Sequence, residues 1–300
     1  MANLKEIRTR ISSVKSTQQV TSAMKMVSAA KLRKAQDDIV QMRPYADKLN
    51  EILTIIFNNP DSGVENKYAG RKNPDRILII AIASNRGLCG GFNSNVVKKT
   101  TELVELTFKE YRQQSKVDIV AIGKKAVDGF KSKGIKITRS YLEIYDRFSF
   151  SAICEIAQWV MDAYSEGKYD YVELVYNQFK NASVQDLVSE QFLPVKINPV
   201  INIHAGTGKK VFQPDYIFEP SIQIIMDKIV PQYLKIQLYK AMLDSLASEH
   251  GARMTAMHKA SDNASILMRE LKLKYNQARQ SSITNEILEI VSGANAMKSQ

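Results

Sequence analysis

Leu4, Ile7, Ile11 and Val14 follow alternating three- and four-residue steps, the spacing of one face of an α-helix. Carried forward at the same steps, the series meets Leu32, Ala35, Ile39, Met42, Ala46, Leu49, Leu53 and Ile56. Between these runs the register falls on Gln18, Thr21, Lys25 and Ser28, which are polar. The apolar seam is therefore expected to hold at both ends and fail in the middle, where the best apolar line, Val20, Met24 and Val27, is rotated from it. The spacing predicts a helix over residues 3–57, a rod of roughly 80 Å at ~1.5 Å per residue. Pro44 removes a backbone donor and is expected to kink or interrupt it. "NNPDSG", residues 58–63, ends it.

The pattern then changes. "RILIIAIA", residues 76–83, is a continuous apolar, β-branched run, as in a strand buried on both faces. "NRGLCGG" turns the chain, and residues 93–114 read as helix. Further strands are predicted at "VDIVAIG" (117–123), at "GIKITRSYLEI" (134–144), at "YDYVELVYN" (169–177) and over 184–195. Helices end near 133 and span 150–166. Strands alternating with helices imply an α/β layer with a mostly parallel sheet. Loop signals fill 198–220.

Helical spacing returns from 221 to about 297. Pro231 could set its first turns apart. Leu238, Met242 and Leu246 share one face, and Ala252, Ala256, Ala260, Ala264, Leu267, Leu271, Tyr275 and Ala278 continue the line. Ile283, Ile287, Ile290, Val291, Ala294 and Met297 finish it with apolar residues on more than one side. Two long helices at opposite ends of a chain gain little stability alone in water. Pairing them antiparallel buries both stripes, and the alanines let the backbones approach. The fold class is thus mixed α/β and α+β: a long antiparallel coiled coil of residues 1–57 and 221–300, carrying an inserted Rossmann-like α/β domain at 76–197.

Charge adds a constraint on partners. The formal net charge is +11, which points to acidic surfaces, anionic lipid or nucleic acid. Lys5, Arg8, Arg10, Lys15, Lys25, Lys31, Arg33 and Lys34 meet one acid, Glu6, over that stretch. A solvated helix face is the plain explanation. No aromatics are interleaved with these cations, and no zinc or recognition-helix pattern occurs, which weighs against nucleic acid. A helix that loses its seam midway has surface suited to something besides its partner helix, and an acidic protein sleeve fits. At the other end, Ile287, Leu288, Ile290, Val291 and Met297 would lack an intrachain partner if the last helix outruns the first. Exposed apolar helix tips need housing.

Candidate chemistry is sparse. "GLCGG", residues 87–91, lacks the dinucleotide spacing GxGxxG, and "GTGKK", residues 206–210, lacks the glycine and hydroxyl of a phosphate-binding loop. No cofactor is expected. His204, His250 and His258 form no HExxH and read as surface residues. Cys89 lies near Arg86 and could be a somewhat reactive thiol, but no histidine or acid is placed to make a catalytic set. Cys89 and Cys154 read as reduced thiols. No apolar run reaches 18 residues, and no leader is expected before the first helical pattern.

"KEIRTRISSVKSTQQVTSAMKMVSAAKLRKAQ", "NRGLCGGFN" and "LASEHGARMTAMHKASDNASILMRELKLKYNQARQSSITNEILEIVSGANA" together resemble the gamma subunit of F-type ATP synthase, in order and spacing over the whole chain. The resemblance implies a non-catalytic rotor. The two helices would form a coiled coil inside a ring of three alpha and three beta subunits, with the C-terminal tip in an apolar bearing. The α/β domain would meet epsilon and the ion-driven c-ring, at the cytoplasmic face of a bacterial inner membrane. By the same resemblance, Met24, Lys25, Arg253, Arg279, Gln280 and Thr284 contact the catalytic ring. Ile287, Leu288, Ile290, Val291 and Met297 form the bearing tip. Tyr216, Phe218 and Glu219 form the foot above the c-ring, together with Lys31, Arg33 and Lys34. Some members carry an acid at the place of Lys25, so its pairing is not general. Two other readings compete: a basic coiled-coil nucleic-acid binder, which leaves the apolar tip unexplained, and a nucleotide-dependent enzyme built on the α/β domain, which lacks a site.

Overall fold

The computed structural model describes residues 4–57, 67–68, 70, 74–195, 219 and 221–298, with the side chains of 57 and 295–298 outside the description. In order, the elements are α1 (Leu4–Phe57), β1 (Ile77–Ile82), α2 (Phe92–Glu102), a π-helical turn (Leu103–Thr107), α3 (Lys109–Gln113), β2 (Val117–Ile122), α4 (Lys124–Ser132) and β3 (Arg139–Tyr141). A 3₁₀ turn (Glu143–Tyr145), α5 (Phe150–Ser165), β4 (Tyr171–Phe179), β5 (Gln185–Leu193) and α6 (Ile222–Lys298) follow. The chain divides into two compact units, Ala30–Ala252 and the pair Met1–Ala29 with Arg253–Gln300.

The first unit is built on a five-stranded sheet of order β3-β2-β1-β4-β5. β1 is parallel to β2 and β4, β2 is parallel to β3, and β5 returns antiparallel to β4. Every residue of β1 is buried, as a central strand covered on both faces must be. One face carries Leu78, Ile80, Val120, Leu174, Tyr176 and Phe192. These pack with Ile153, Ile156 and Val160 of α5, with Leu53 and Ile56 of α1, and with Leu234, Leu238 and Met242 of α6. The other face packs Ile79, Ala81, Ile119 and Val175 against Val96 and Val97 of α2 and Phe130 of α4. The ends of the two long helices are thus part of the core of this unit. Gly123, at φ +92°, closes the turn after β2, where a Cβ would lie 2.1 Å from the carbonyl oxygen of Ala83. Only glycine fits a backbone approach this close in that conformation.

Several expectations are corrected. α1 runs unbroken through Pro44 and α6 through Pro231. Pro44 and Val40, whose carbonyl loses its donor, are both exposed, so water can replace the missing hydrogen bond. The stretch 134–144 yields only the three-residue strand β3, because its edge position pairs with β2 over Val120–Ile122 alone. The helix predicted over 93–114 is broken by the π-turn, where Phe108 N–H reaches back five residues to the Leu103 carbonyl. His250 is buried, not on the surface, because α6 is enclosed at that level. Cys89 is buried as well, its sulfur receiving Asn93 Nδ2 at 3.2 Å. A thiol shut away from solvent is a poor nucleophile.

In the other unit the expected rotation of the seam is also absent. Ile7, Thr21 and Ser28 are buried and Ile11, Val14, Gln18 and Lys25 half-buried, so one register runs straight through the polar stretch. The alternative line is the exposed one, with Val20 55% and Val27 57% accessible and Met24 half-buried. On α6, Met257, Ala264 and Leu271 are buried and Met268, Tyr275 and Ala278 half-buried. Met268 takes the place expected for Leu267, which is exposed.

Candidate interaction surfaces of the helix pair

The polar seam holds because each hydroxyl is satisfied locally. Thr21 Oγ1 donates to the Gln18 carbonyl (3.1 Å) and Ser28 Oγ to the Met24 carbonyl (2.7 Å), within their own helix. Gln18 Nε2 donates across to Ser265 Oγ (2.8 Å), and Ser265 Oγ in turn donates to the Ser261 carbonyl (3.0 Å). Small side chains make room for this. A shallow groove of about 320 Å³ is lined by Gln18, Gln19, Ser22, Ala23, Met26 and Ser261. Moving forward on α1 from Gln18 to Met26 moves backward on α6 from Ser265 to Ser261, so the two segments run antiparallel.

That register sets the reach of the pair. At equal pitch from the Gln18–Ser265 contact, Leu4 lies level with roughly Arg279. From Ile283 through residue 294 every residue of α6 is exposed, including Ile287, Leu288, Ile290 (71%) and Val291. An α-helix with apolar residues round its circumference and no partner in the described residues is a surface awaiting cover. Met297 lies in α6, but its side chain falls outside the described residues, as do Tyr216 and Phe218 altogether.

The remaining candidate residues are placed as follows. Lys25 is half-buried in the seam. Arg253 is buried. Arg279, Gln280 and Thr284 are exposed, and Gln280 and Thr284, four apart, share a face. Lys31, Arg33 and Lys34 are exposed on α1 within the sheet-bearing unit, and Glu219 is exposed. Arg10 pairs with Glu6 at 2.8 Å at the surface, a contact of ~0–1 kcal/mol, and His258 Nδ1 lies 3.2 Å from Asp262 Oδ2.

Sequence reasoning missed a polar cluster in the sheet-bearing unit, buried at Tyr176 and half-buried at Glu190 and Gln237. Tyr176 Oη donates to Glu190 (2.9 Å), and Gln237 Nε2 donates to the other oxygen of the same carboxylate (3.0 Å). Asp244 is buried on α6 nearby. Burial pushes its carboxyl up to about 6, Lys240 and Arg43 oppose the rise, and Glu190 adds to it. Asp244 falls two residues after the apolar Met242, and a single acid between apolar positions carries no mark in sequence of facing inward. The turn after β1 satisfies its own polar groups: Asn93 Oδ1 accepts from Ser84 N and Oγ, and the Phe92 carbonyl accepts from Asn177 Nδ2. Among the described residues no group of three or more His, Cys, Asp or Glu could hold a metal, and no helix is long and apolar enough to cross a membrane.

Comparison with known proteins identifies the family. The sequence profile of a family described as ATP synthase matches residues 3–297. The chain is 48% identical over 298 residues to the ATP synthase gamma chain of Cytophaga hutchinsonii, covering 99% of each chain. It is 50% identical over 299 residues to that of Flavobacterium psychrophilum, covering 99% of this chain and 100% of the relative. Among solved structures, it resembles a chain of the Euglena gracilis mitochondrial ATP synthase, OSCP/F1/c-ring, at TM-score 0.67 and 23% identity, over 98% of this chain and 94% of the other. A chain of the Tetrahymena thermophila mitochondrial ATP synthase central stalk and c-ring is similar at TM-score 0.59 and 24% identity, over 81% and 99%.

Proposed function

This chain belongs to the ATP synthase family, among its gamma chains, and on that premise we propose that it is the central stalk of an F-type ATP synthase and turns as a shaft between an ion-driven c-ring and a catalytic hexamer. The observation that carries the reading is the bare apolar end of α6. From Ile283 to residue 294 the helix exposes Ile287, Leu288, Ile290 and Val291 beyond the level of Leu4. A surface of that kind is stable in water only when a partner covers it, and a bearing formed by the alpha and beta subunits would do so.

The mechanism is differential binding. A single antiparallel pair of helices has no three-fold symmetry. Placed in a ring of three alpha and three beta subunits, it presents a different face to each beta subunit. Each orientation then stabilises the three beta conformers by different amounts, and rotation moves that bias round the ring. The chain carries out no bond chemistry of its own. Its exposed cations, with Lys25 in the seam and Arg279, Gln280 and Thr284 near the tip, would engage acidic or polar loops of the ring. Lys31, Arg33, Lys34 and Glu219, with Tyr216 and Phe218, would form the foot toward epsilon and the c-ring. The complex would lie at the cytoplasmic face of the bacterial inner membrane, with this subunit peripheral to it.

Reconstitution tests the reading. The purified chain, mixed with alpha and beta subunits, should form a complex with one copy of the chain per hexamer. A bead on the sheet-bearing unit of that complex should then rotate when ATP is added. A hexamer that excludes the chain, or a bead that stays still during ATP hydrolysis, would refute the assignment.

A further inference from the structure

We infer that the tip of the β4–β5 hairpin, seated on Gly251 of α6, is a torque joint: it closes a collar that locks the sheet to the stretch of α6 within its own unit. The inference rests on the rotor reading above. Along residues 241–251 every residue of α6 except Leu246 is buried, polar ones included. A helix enclosed on all sides cannot roll against its neighbours without opening the core.

Three elements enclose it. From the sheet, Ser248 Oγ donates to the Asn177 carbonyl (3.0 Å) and Gln237 holds Glu190. From α1, Leu53 and Ile56 share one buried cluster with Leu238, Ala241 and Met242. From the segment entering α5, Phe148 and Phe150 place their rings 6.1 and 5.2 Å from Tyr239, and Glu249 acts on Tyr145.

The hairpin closes the last side by backbone contact. A Cβ on Gly251 would lie 3.2 Å from the Ala182 carbonyl oxygen and 3.3 Å from its Cα. A glycine inside a helix is destabilising relative to alanine, and here it admits the loop to the helix backbone. The tip is itself braced. Asn181 Oδ1 accepts from Ser183 N (2.9 Å) and Val184 N (2.8 Å), Gln185 Nε2 donates to the Ala182 carbonyl (3.2 Å), and Lys180 pairs with Asp186. The tip adds little to the apolar core, since Val184 is exposed. Its bracing serves position. Gly251 also stands beside Ala252, the last residue of the sheet-bearing unit, so the grip falls where α6 leaves it.

The test is torsional stiffness in the assembled complex. With the complex immobilised through its catalytic ring, a bead on a cysteine introduced at the exposed Lys109 reports angular fluctuation during pauses between steps. Gly251→Leu should widen the angular variance about two-fold, and Gly251→Ala, whose Cβ meets the Ala182 carbonyl at 3.2 Å, should widen it by less. Asn181→Ala, which frees the tip without touching α6, should widen it as well. An unchanged variance in Asn181→Ala overturns the joint, and this variant decides alone if Gly251→Leu fails to assemble. A parent complex whose bead does not rotate removes the rotor reading, and the joint falls with it.

Discussion

Gln18 of α1 donates its side-chain amide to the hydroxyl of Ser265 in α6 at 2.8 Å, across 247 positions of sequence. The bond sits in the stretch where the apolar series gives way to polar residues, and it pins the register of the antiparallel pair. Its contribution should be measurable as a coupling. In a double-mutant cycle of Gln18→Ala and Ser265→Ala, followed by urea unfolding of the full chain, the two changes should be non-additive by ~1 kcal/mol. Strict additivity would mean that the contact is not formed in solution.

Gly123→Ala tests the closest backbone approach in the sheet-bearing unit. The added methyl would sit 2.1 Å from a backbone oxygen at φ +92°, so strand ends must part to admit it. The cost should exceed ~3 kcal/mol, visible as a large fall in thermal midpoint or as insoluble expression. A variant as stable as the parent would show that the turn after β2 has another conformation.

Asp244 predicts a pH dependence whose sign is fixed by the direction of its shift. The folded state holds the carboxyl at about 6, against an ordinary value of 3.8. The folded protein therefore binds more protons than the unfolded chain between these values. The favourable contribution is complete below about 3.8 and is lost as pH rises through about 6. At pH 7 the ionised group costs roughly 2–3 kcal/mol. Asp244→Asn should raise stability at pH 7 by ~1–2 kcal/mol and flatten the profile between pH 4 and 6. A variant that is less stable at pH 7 would show that Arg43 and Lys240 hold the carboxylate as a charged partner.

Truncation after Asn285 separates folding from assembly. The described residues beyond that point are exposed, so the shortened chain should keep its helical signal and unfold within ~0.5 kcal/mol of the parent. Its affinity for the catalytic ring should fall at least ten-fold, read by pull-down or interferometry, because the apolar tip is gone. Undiminished affinity would show that the tip is not housed by the ring.

Much of the architecture lies in local periodicity. Ile7, Leu32, Ile39 and Leu53 mark a helix face by spacing alone, and "RILIIAIA" marks a doubly covered strand, because helix and strand repeats are properties of neighbouring residues. The overhanging apolar run at Ile287–Val291 is equally visible, since a helix with apolar residues on several sides needs no partner to be recognised. The motifs at both ends were enough to place the chain among gamma subunits.

Tertiary packing decided the rest. Whether Thr21 and Ser28 stay in the seam depends on whether each hydroxyl finds a carbonyl and whether α6 brings small residues opposite, and neither is written in the spacing of α1. Pro44 and Pro231 pass through their helices, though propensity alone would break them there. Asp244 and Gly251 acquire their environments from β5, α1 and the hairpin tip, segments tens to hundreds of positions away. Local sequence sets which face of a helix is apolar. What covers that face, and which polar groups are shut in with it, depends on contacts between distant segments that close only in the folded chain.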